Sequence, residues 1–333
     1  MAFVDLGAVS AYADAKRGGY TGSYAEFCKT LAHILDIARV NDNLLRNGTF
    51  ADGCIVNQRG QTSYAGTGYG VDMWYTTGAT LSVDVTAEGV KLYKNAASAN
   101  PAWAQALETD AAVGQTVTVS MLYKGSGEGA SLRVAQSGGI VTLSNVSDWT
   151  LVQKTFTLEK WSVGALQDRA IVAIQCFENM AANRGLYIKA IKLEPGTKQT
   201  LAHQENGAWV LNEIPDYVEQ LRKCQRYLYV QSGKMITVGV ITGSKKTLNL
   251  AVPVPVPMRS KPTLVGVPDV TNVRTIQGTN MDAEITSGTV LAATSLDTNI
   301  AISVTTETFN TAEYINNTPI VCYIGNVMLS AEL

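Results

Sequence analysis

The sequence has little of what a catalytic or metal-binding protein needs. Its 333 residues include two histidines, His33 and His203, and neither belongs to a His-Glu-x-x-His pattern or to a Cys/His cluster with ligand spacing. A Gly-x-Ser-x-Gly nucleophile elbow and a Gly-x-x-x-x-Gly-Lys-Ser/Thr phosphate loop are also absent. We therefore expect no catalytic residue, no metal site and no cofactor.

Charge is scarce as well. Charged residues make up 16% of the chain, against roughly 25% in an average soluble domain, and 26 basic against 28 acidic residues leave a net charge of −2. Without a basic stripe, nucleic acid is a poor partner. Hydrophobic residues at 46% supply a core and argue against disorder. The polar remainder is mostly Thr, Ser, Asn, Gln and Gly, which suits a surface that contacts sugars or copies of itself.

Long apolar runs and paired cysteines are missing too. No stretch approaches the ~20 apolar residues that span a membrane, and the first residues do not form a secretory signal. No two cysteines have Cys-x-x-Cys spacing, so we expect free thiols, buried as small hydrophobic groups, in a chain that folds in a reducing cytoplasm. The five cysteines are Cys28, Cys54, Cys176, Cys224 and Cys322.

Residues 1–41 are predicted to be a helical segment that attaches and oligomerises the protein. One helix is expected over Leu6–Lys16, and a second begins at Ser23, which with Glu26 has the Ser-x-x-Glu spacing of a capping box. A narrow apolar stripe follows, which either packs on its own domain or forms a short coiled-coil seam between identical chains. The stripe consists of Phe27, Leu31, Ile34 and Ala38.

Residues 42–197 have the pattern of an antiparallel β-sandwich. Thr116–Met121 alternates strictly between apolar and hydroxyl side chains. A second alternating set within Trp149–Glu159 consists of Val152, Lys154, Phe156 and Leu158. Ile171–Phe177 is continuously apolar, which is typical of a strand covered on both faces. Glycine-rich turns such as Gly125–Gly129 separate short strands. The sequence therefore predicts a mainly β chain with a jelly-roll sandwich.

Residues 198–333 are predicted to form a β-rich domain with one helix, either a host-receptor tip or a further assembly surface. A linker over Thr197–Asn206 leads to a helical pattern over Ile214–Tyr229. The prolines of Val252–Pro257 remove backbone donors and indicate an edge strand or an extended connector. The expected strands are Met235–Ile241, Leu248–Val252, Thr263–Val267, Ile300–Val304 and Ile320–Leu333.

Several segments resemble tail-fibre-like structural proteins of phages and prophages. Gly19–Phe27 is similar to an N-terminal motif of tail-associated proteins, and Asn43–Phe50, Val56–Tyr64 and Val71–Trp74 resemble the opening of carbohydrate-binding-module-like jelly rolls in their fibres. Leu186–Gly196 resembles the closing strand of that domain. Leu211–Tyr217 and Cys224–Tyr227 resemble the segment that follows the domain in such fibres.

The resemblance implies a non-enzymatic virion structural protein, commonly a homotrimer, assembled in the host cytoplasm. Its implied partners are two copies of itself, other virion proteins bound through the N-terminal region, and host cell-surface polysaccharide, with no nucleic acid and no membrane insertion. Three weak glycan sites on one trimer would gain affinity through multivalency. A capsid-mounted head fibre or a baseplate component without a required ligand is the main alternative.

Sugar-binding proteins place exposed aromatic rings against the apolar faces of sugar rings. Trp103 lies in a polar, loop-like stretch and Trp161 follows a strand, so these two are the predicted carbohydrate-binding residues. The other tryptophans are predicted to be buried, Trp74 and Trp149 in the sandwich and Trp209 as an anchor for the C-terminal region.

A fibre-borne glycan hydrolase is the second alternative. Such an enzyme needs two carboxylates, one of them with a raised pKa. Asp110, Asp168 and Glu178 are candidates, but their spacing in sequence does not pair them across a sandwich, and solvated surface carboxylates are the usual explanation.

Overall fold

A computed structural model describes residues 6–28, 41–96, 100–134, 139–177, 184–242, 247–275, 280–281, 285–292, 298–306 and 318–332. The prediction of a mainly β chain with an antiparallel sandwich is confirmed, since every strand pair in these ranges is antiparallel. None of the described helices is long and apolar enough to cross a membrane.

The N-terminal segment begins with helix α1, Leu6–Arg17. Residues 24–28 are helical again, after the predicted capping box, in which the Ser23 amide donates to the Glu26 carboxylate at 2.6 Å and the Glu26 amide donates to the Ser23 hydroxyl at 3.2 Å. The Phe27 ring lies 5.5 Å from Tyr12 and 5.7 Å from Tyr20 between centroids, so it packs on α1 of its own chain. Leu31, Ile34 and Ala38 of the predicted stripe lie outside the described residues.

The first sandwich contains strands from residue 63 to residue 195. Its six-stranded sheet has the order β1-β4-β5-β13-β7-β10, and the opposite sheet has the order β2-β3-β6-β12-β8-β9 with β11 beside β12. Strands therefore cross repeatedly between the sheets, as in a jelly roll. The strands are β1 Ser63–Ala65, β2 Gly68–Tyr69, β3 Tyr75–Thr77, β4 Leu81–Thr86, β5 Gly89–Lys94, β6 Ala102–Ala106, β7 Thr116–Gly125, β8 Ala130–Arg133, β9 Ile140–Thr142, β10 Val146–Thr157, β11 Lys160–Val163, β12 Leu166–Cys176 and β13 Leu186–Pro195.

The alternation predicted for β7 is correct in phase. Val117, Val119 and Met121 are fully buried between the sheets. The alternate hydroxyl residues, Thr118 and Ser120, are also buried, because a hairpin covers the outer side of this sheet. The hairpin consists of β14 Ala202–Glu205 and β15 Ala208–Leu211.

That hairpin begins inside the stretch predicted to be a linker. Leu201 and Ala202 are buried against Leu122 and Ala190 on the outer face of the six-stranded sheet, and Trp209 packs on the same cluster. The polar composition of the stretch concealed this, because the alternate side chains of the hairpin face solvent. Trp209 therefore anchors the hairpin to the first sandwich.

Helix α2, Tyr217–Gln225, is shorter than the pattern over Ile214–Tyr229 predicted. It begins after Pro215, and its N-cap Asp216 accepts a hydrogen bond from the Glu219 amide at 2.8 Å. Cys224 is fully buried in the core of the first sandwich, whereas Ile214 is 66% exposed. The predicted apolar face is thus buried only at its C-terminal end.

The second sandwich has a separate core formed between two sheets. Their strand orders are β16-β25-β19 and β21-β20-β24-β17-β18-β23-β22. The predicted final strand is interrupted at Asn326, whose φ of 51° breaks the extended backbone. The strands are β16 Leu228–Gln231, β17 Met235–Thr242, β18 Thr247–Pro253, β19 Thr263–Leu264, β20 Asp269–Thr275, β21 Asn280–Met281, β22 Ile285–Ala292, β23 Asn299–Thr306, β24 Pro319–Gly325 and β25 Val327–Ser330.

A polar joint connects the two sandwiches, and the Val56–Tyr64 segment provides it. The Gln58 side-chain amide donates to the Asp72 carboxylate and to the Leu228 carbonyl, both at 2.6 Å. Arg59 pairs with Glu332 at 2.5 Å, and both of these side chains are largely buried. The Val56–Tyr64 segment, one of those that resemble phage fibres, therefore holds the second sandwich against the first.

Candidate carbohydrate-binding face

Trp103 and Trp161, the predicted carbohydrate-binding residues, are both buried. Trp103 is 0% exposed and lies between the sheets, stacked on Trp74 with ring centroids 4.1 Å apart. Trp161 is 6% exposed, and its indole N–H donates to the Ile171 carbonyl at 2.9 Å. A ring without an exposed face cannot stack on a sugar, so the assignment of these two residues to a carbohydrate site is wrong.

The neighbours of Trp103 in sequence concealed its burial. Trp103 lies on β6, a strand buried on both sides. Ala102 and Ala104 point to the opposite side from Trp103, and Trp161 of β11 lies over them. Small residues that suggested a loop are thus the floor on which a second tryptophan packs.

The outer face of the six-stranded sheet presents aromatic rings instead. Tyr93 on β5, Tyr187 on β13 and Trp149 on β10 are all half-buried there. Three lysines, also half-buried, lie among the rings on the same face. We call these six residues the aromatic–lysine face: Lys91, Tyr93, Lys124, Trp149, Tyr187 and Lys189.

The lysine ammonium groups lie over the rings at cation–π distances. The Lys91 Nζ is 5.3 Å from the Tyr93 centroid and 5.7 Å from the Tyr187 centroid. The Lys124 Nζ is 5.6 Å from Tyr187 and 4.9 Å from Trp149, so it bridges two strands. An exposed contact of this kind is worth about 0.5–1 kcal/mol, so a ligand ring can displace an ammonium group at small cost.

Carboxylates at the rim hold two of the three lysines. Lys124 pairs with Glu88 at 2.6 Å and Lys189 with Asp52 at 3.6 Å, and both acids are about half exposed. Exposed pairs contribute about 0–1 kcal/mol. The rim therefore orients the two ammonium groups without closing the face.

Trp149 was expected in the core, yet it lies on the outer face. The register pairs Val152 with Met121 and Phe156 with Val117, both pointing inward. Trp149 is an odd number of residues from each, so it points outward. Strict counting by two along β10 would have found this residue, and Tyr187 follows in the same way from its buried neighbour Ile188.

The arrangement suits the binding of a sugar chain. Four adjacent strands, β5, β13, β7 and β10, span three gaps of about 4.8 Å, or about 14 Å, which is room for a short oligosaccharide. The rings offer flat apolar surfaces for the C–H faces of pyranoses, and the ammonium groups offer hydrogen-bond donors. The β14–β15 hairpin covers the adjoining part of the sheet, and Trp149 packs against the edge of this covered region.

A cavity of about 460 Å³ lies elsewhere, between the first sandwich and α2. Its charged lining is largely paired within the protein. Arg46 contacts Glu108 at 3.5 Å, and Lys223 contacts Glu219 at 2.6 Å. The Lys192 ammonium donates to Thr200 at 2.9 Å. We interpret this cavity as a gap in the packing between the first sandwich and α2.

Of the carboxylates considered for hydrolysis, Asp110 and Asp168 lie within the described residues. Lys160 hydrogen-bonds to Asp110 at 2.7 Å and lowers the pKa of that carboxyl group, the opposite of what a general acid needs. Glu178 lies outside the described residues. Burial raises the pKa of Asp72 and of Glu332, but protein covers both groups, and Gln58 and Arg59 hold them. Among the described residues, no group of three or more His, Cys, Asp or Glu converges as metal ligands would.

No protein-family model and no curated protein sequence matches this chain. Solved structures of carbohydrate-binding modules are similar to it at low TM-scores, and the function proposed below does not rest on them. They include the apo CBM1 of BiXyn10A (16% identity, 39% of this chain, 99% of that chain, TM-score 0.29), a CBM4 (16%, 45%, 98%, 0.28) and the CBM22-1–CBM22-2 tandem of Xyn10C from Paenibacillus barcinonensis (11%, 88%, 98%, 0.27).

Proposed function

We propose that this chain is a tail-fibre-like adhesion protein of a phage or prophage particle, and that it binds host-surface glycan through the aromatic–lysine face. The observation that carries the proposal is the placement of Tyr93, Tyr187 and Trp149 on one sheet face, within four consecutive strands of the sheet order. Aromatic rings that only stabilise the core would lie between the sheets and would not be grouped on a solvent-facing surface. The segments that resemble phage fibres supply the virion context.

The same proposal includes a homotrimer attached to the particle through residues 1–41. Three copies would present three glycan-binding faces and raise the apparent affinity through their effective concentration. Light scattering of the purified chain should give roughly 107 kDa, three times 35.6 kDa. A monomer at 35.6 kDa would refute the trimer and leave the glycan site to be tested by itself.

The glycan site is tested with an array of bacterial surface polysaccharides and the double variant Trp149→Ala/Tyr187→Ala. Each half-exposed ring that is removed takes away one stacking surface, so we expect a loss of at least about tenfold in affinity. Tyr323→Ala is the matched control, because this ring is 40% exposed on the second sandwich. Thermal unfolding of each variant verifies the fold.

Equal binding by the double variant and the wild type would refute the site. Absence of binding to every polysaccharide on the array, by a chain that is folded, would favour the head-fibre or baseplate alternative, in which the protein needs no ligand. Release of reducing sugar would favour the hydrolase.

A further inference from the structure

We propose that the glycan bound by the aromatic–lysine face is acidic, with carboxylate groups of the uronic-acid type. This inference rests on the proposed function and names the ligand class of the same site. It starts from Lys91, which lies between two tyrosine rings, 5.3 Å from the Tyr93 centroid and 5.7 Å from the Tyr187 centroid.

Lys91 differs from the other two lysines of the face. Lys124 and Lys189 each have a carboxylate partner at the rim. Among the residues that the structure describes, no carboxylate lies within ion-pair distance of Lys91, and its cross-strand partner Asp84 accepts hydrogen bonds from Ser63 and Tyr93 instead. The Lys91 side chain is half-buried, and a charged partner gains more beside a partly buried ammonium group than it would in open water.

The position of the Lys91 side chain is set by a close approach. Its aliphatic stem lies over Gly185, where an added Cβ would collide with the Lys91 Cε. The backbone of Gly185 does not need a positive φ, so a methyl group added there would act on the Lys91 stem, which would have to move aside. With glycine at this position the stem lies over residue 185 and the ammonium group lies between Tyr93 and Tyr187.

This geometry distinguishes an acidic sugar from a neutral one. A neutral pyranose stacked on Tyr187 would cover the Lys91 ammonium and remove water without supplying a charge. A uronic acid stacked in the same place supplies a carboxylate, which accepts charge-assisted hydrogen bonds from the ammonium group. Lys124, one strand away and 5.6 Å from the same ring, supports the same preference.

The experiment compares two forms of one polymer. Oligomers of polygalacturonic acid and the same oligomers as methyl esters share their rings and differ in charge. We expect the free acid to bind the wild-type protein about tenfold more tightly than the ester in low salt, with a smaller difference at high ionic strength. Titration calorimetry measures both affinities.

Three variants locate the effect. Lys91→Met keeps the apolar stem and should remove most of the preference for the acid, bringing the affinity for the acid close to that for the ester. Gly185→Ala keeps every charge but displaces the Lys91 stem, and should reduce the preference. Lys234→Met removes a lysine on the second sandwich, 55% exposed and paired with Asp269, and should change nothing.

The outcomes separate this inference from the proposed function. Equal affinity for the acid and the ester, with both still lost in Trp149→Ala/Tyr187→Ala, would overturn the acidic specificity and leave glycan binding in place. A preference for the acid that is undiminished in Lys91→Met would also overturn it. Failure of the folded wild-type protein to bind either form would count against the acidic ligand and the proposed face together.

Discussion

The two sandwiches differ in where they place their large aromatic side chains. The first has Phe50, Trp74 and Trp103 in contact at its centre, with centroid distances from 4.1 to 5.6 Å, and further rings on an outer face. The second has a core that is mostly aliphatic, and its largest sheet exposes Ile236 at 65% and Val238 at 60%.

The outer sheet faces of the two sandwiches therefore differ in chemical character. The first sandwich combines rings with lysines, which can hydrogen-bond to a hydrated ligand and release it. The second exposes aliphatic side chains, with the Tyr323 ring beside Ile236 and with Arg274 one strand further on. The proposed function therefore places ligand recognition in the first sandwich, and the joint at Gln58 and Arg59 connects the second sandwich to it.

The largest effect is expected inside the first sandwich. Trp103→Ala removes a fully buried ring that stacks on Trp74 and contacts Phe50, and the site cannot collapse between two sheets. The free energy of unfolding should fall by about 3–5 kcal/mol, measured by denaturant titration. Trp149→Ala, a change of the same size on the outer face, should cost much less. Equal decreases in the free energy of unfolding for the two variants would contradict the difference between buried and surface rings.

An intermediate effect is expected at the joint. Arg59→Met leaves the Glu332 carboxylate buried, at 5% side-chain exposure, without its partner at 2.5 Å, and should destabilise the protein by up to about 3 kcal/mol. Limited proteolysis between the sandwiches should accelerate. The double variant Arg59→Met/Glu332→Gln removes the stranded charge and should recover part of the loss. A cost below about 0.5 kcal/mol for Arg59→Met would show that the pair does not hold the sandwiches together.

The smallest effect is a pH dependence at the same joint. Burial raises the pKa of Asp72 above its unfolded value, near 3.9. The folded state therefore holds this proton more tightly, so the stability that Asp72 contributes is complete below the unfolded pKa and falls as pH rises through the folded pKa. The Asp72→Asn variant has no carboxyl group to ionise at this position, so its stability does not fall for this reason as pH rises. Between pH 4 and 7, denaturant titrations should show the variant gaining stability relative to the wild type, and an opposite slope would contradict the raised pKa.

The strands were predictable wherever local alternation was sufficient. Val117, Val119 and Met121 alternate because one side of β7 faces the core, and this pattern is visible without any tertiary information. The Ser23–Glu26 capping box is equally local, since both partners lie within one helical turn.

The candidate site was harder to predict, because it depends on which face of a sheet each ring occupies. Trp103 is surrounded in sequence by alanine and glutamine, and it is buried against Trp74 and Phe50, which lie about 30 and about 50 residues earlier in the chain. Tyr93, Tyr187 and Trp149 become neighbours only through the strand order β5-β13-β7-β10. No spacing in the sequence predicts that order.

The burial of the cysteines has a consequence for chemical reactivity. Cys54, Cys176, Cys224 and Cys322 are buried, and desolvation raises the pKa of their thiols, to about 12 at Cys176 and about 11 at Cys322. A thiol must lose its proton to attack an electrophile, so these four are inert in the native protein. Cys28 is half-buried in the N-terminal segment. We therefore expect a maleimide dye added to the folded chain to label Cys28 selectively. The dye would then report on contacts that the N-terminal segment makes with other molecules.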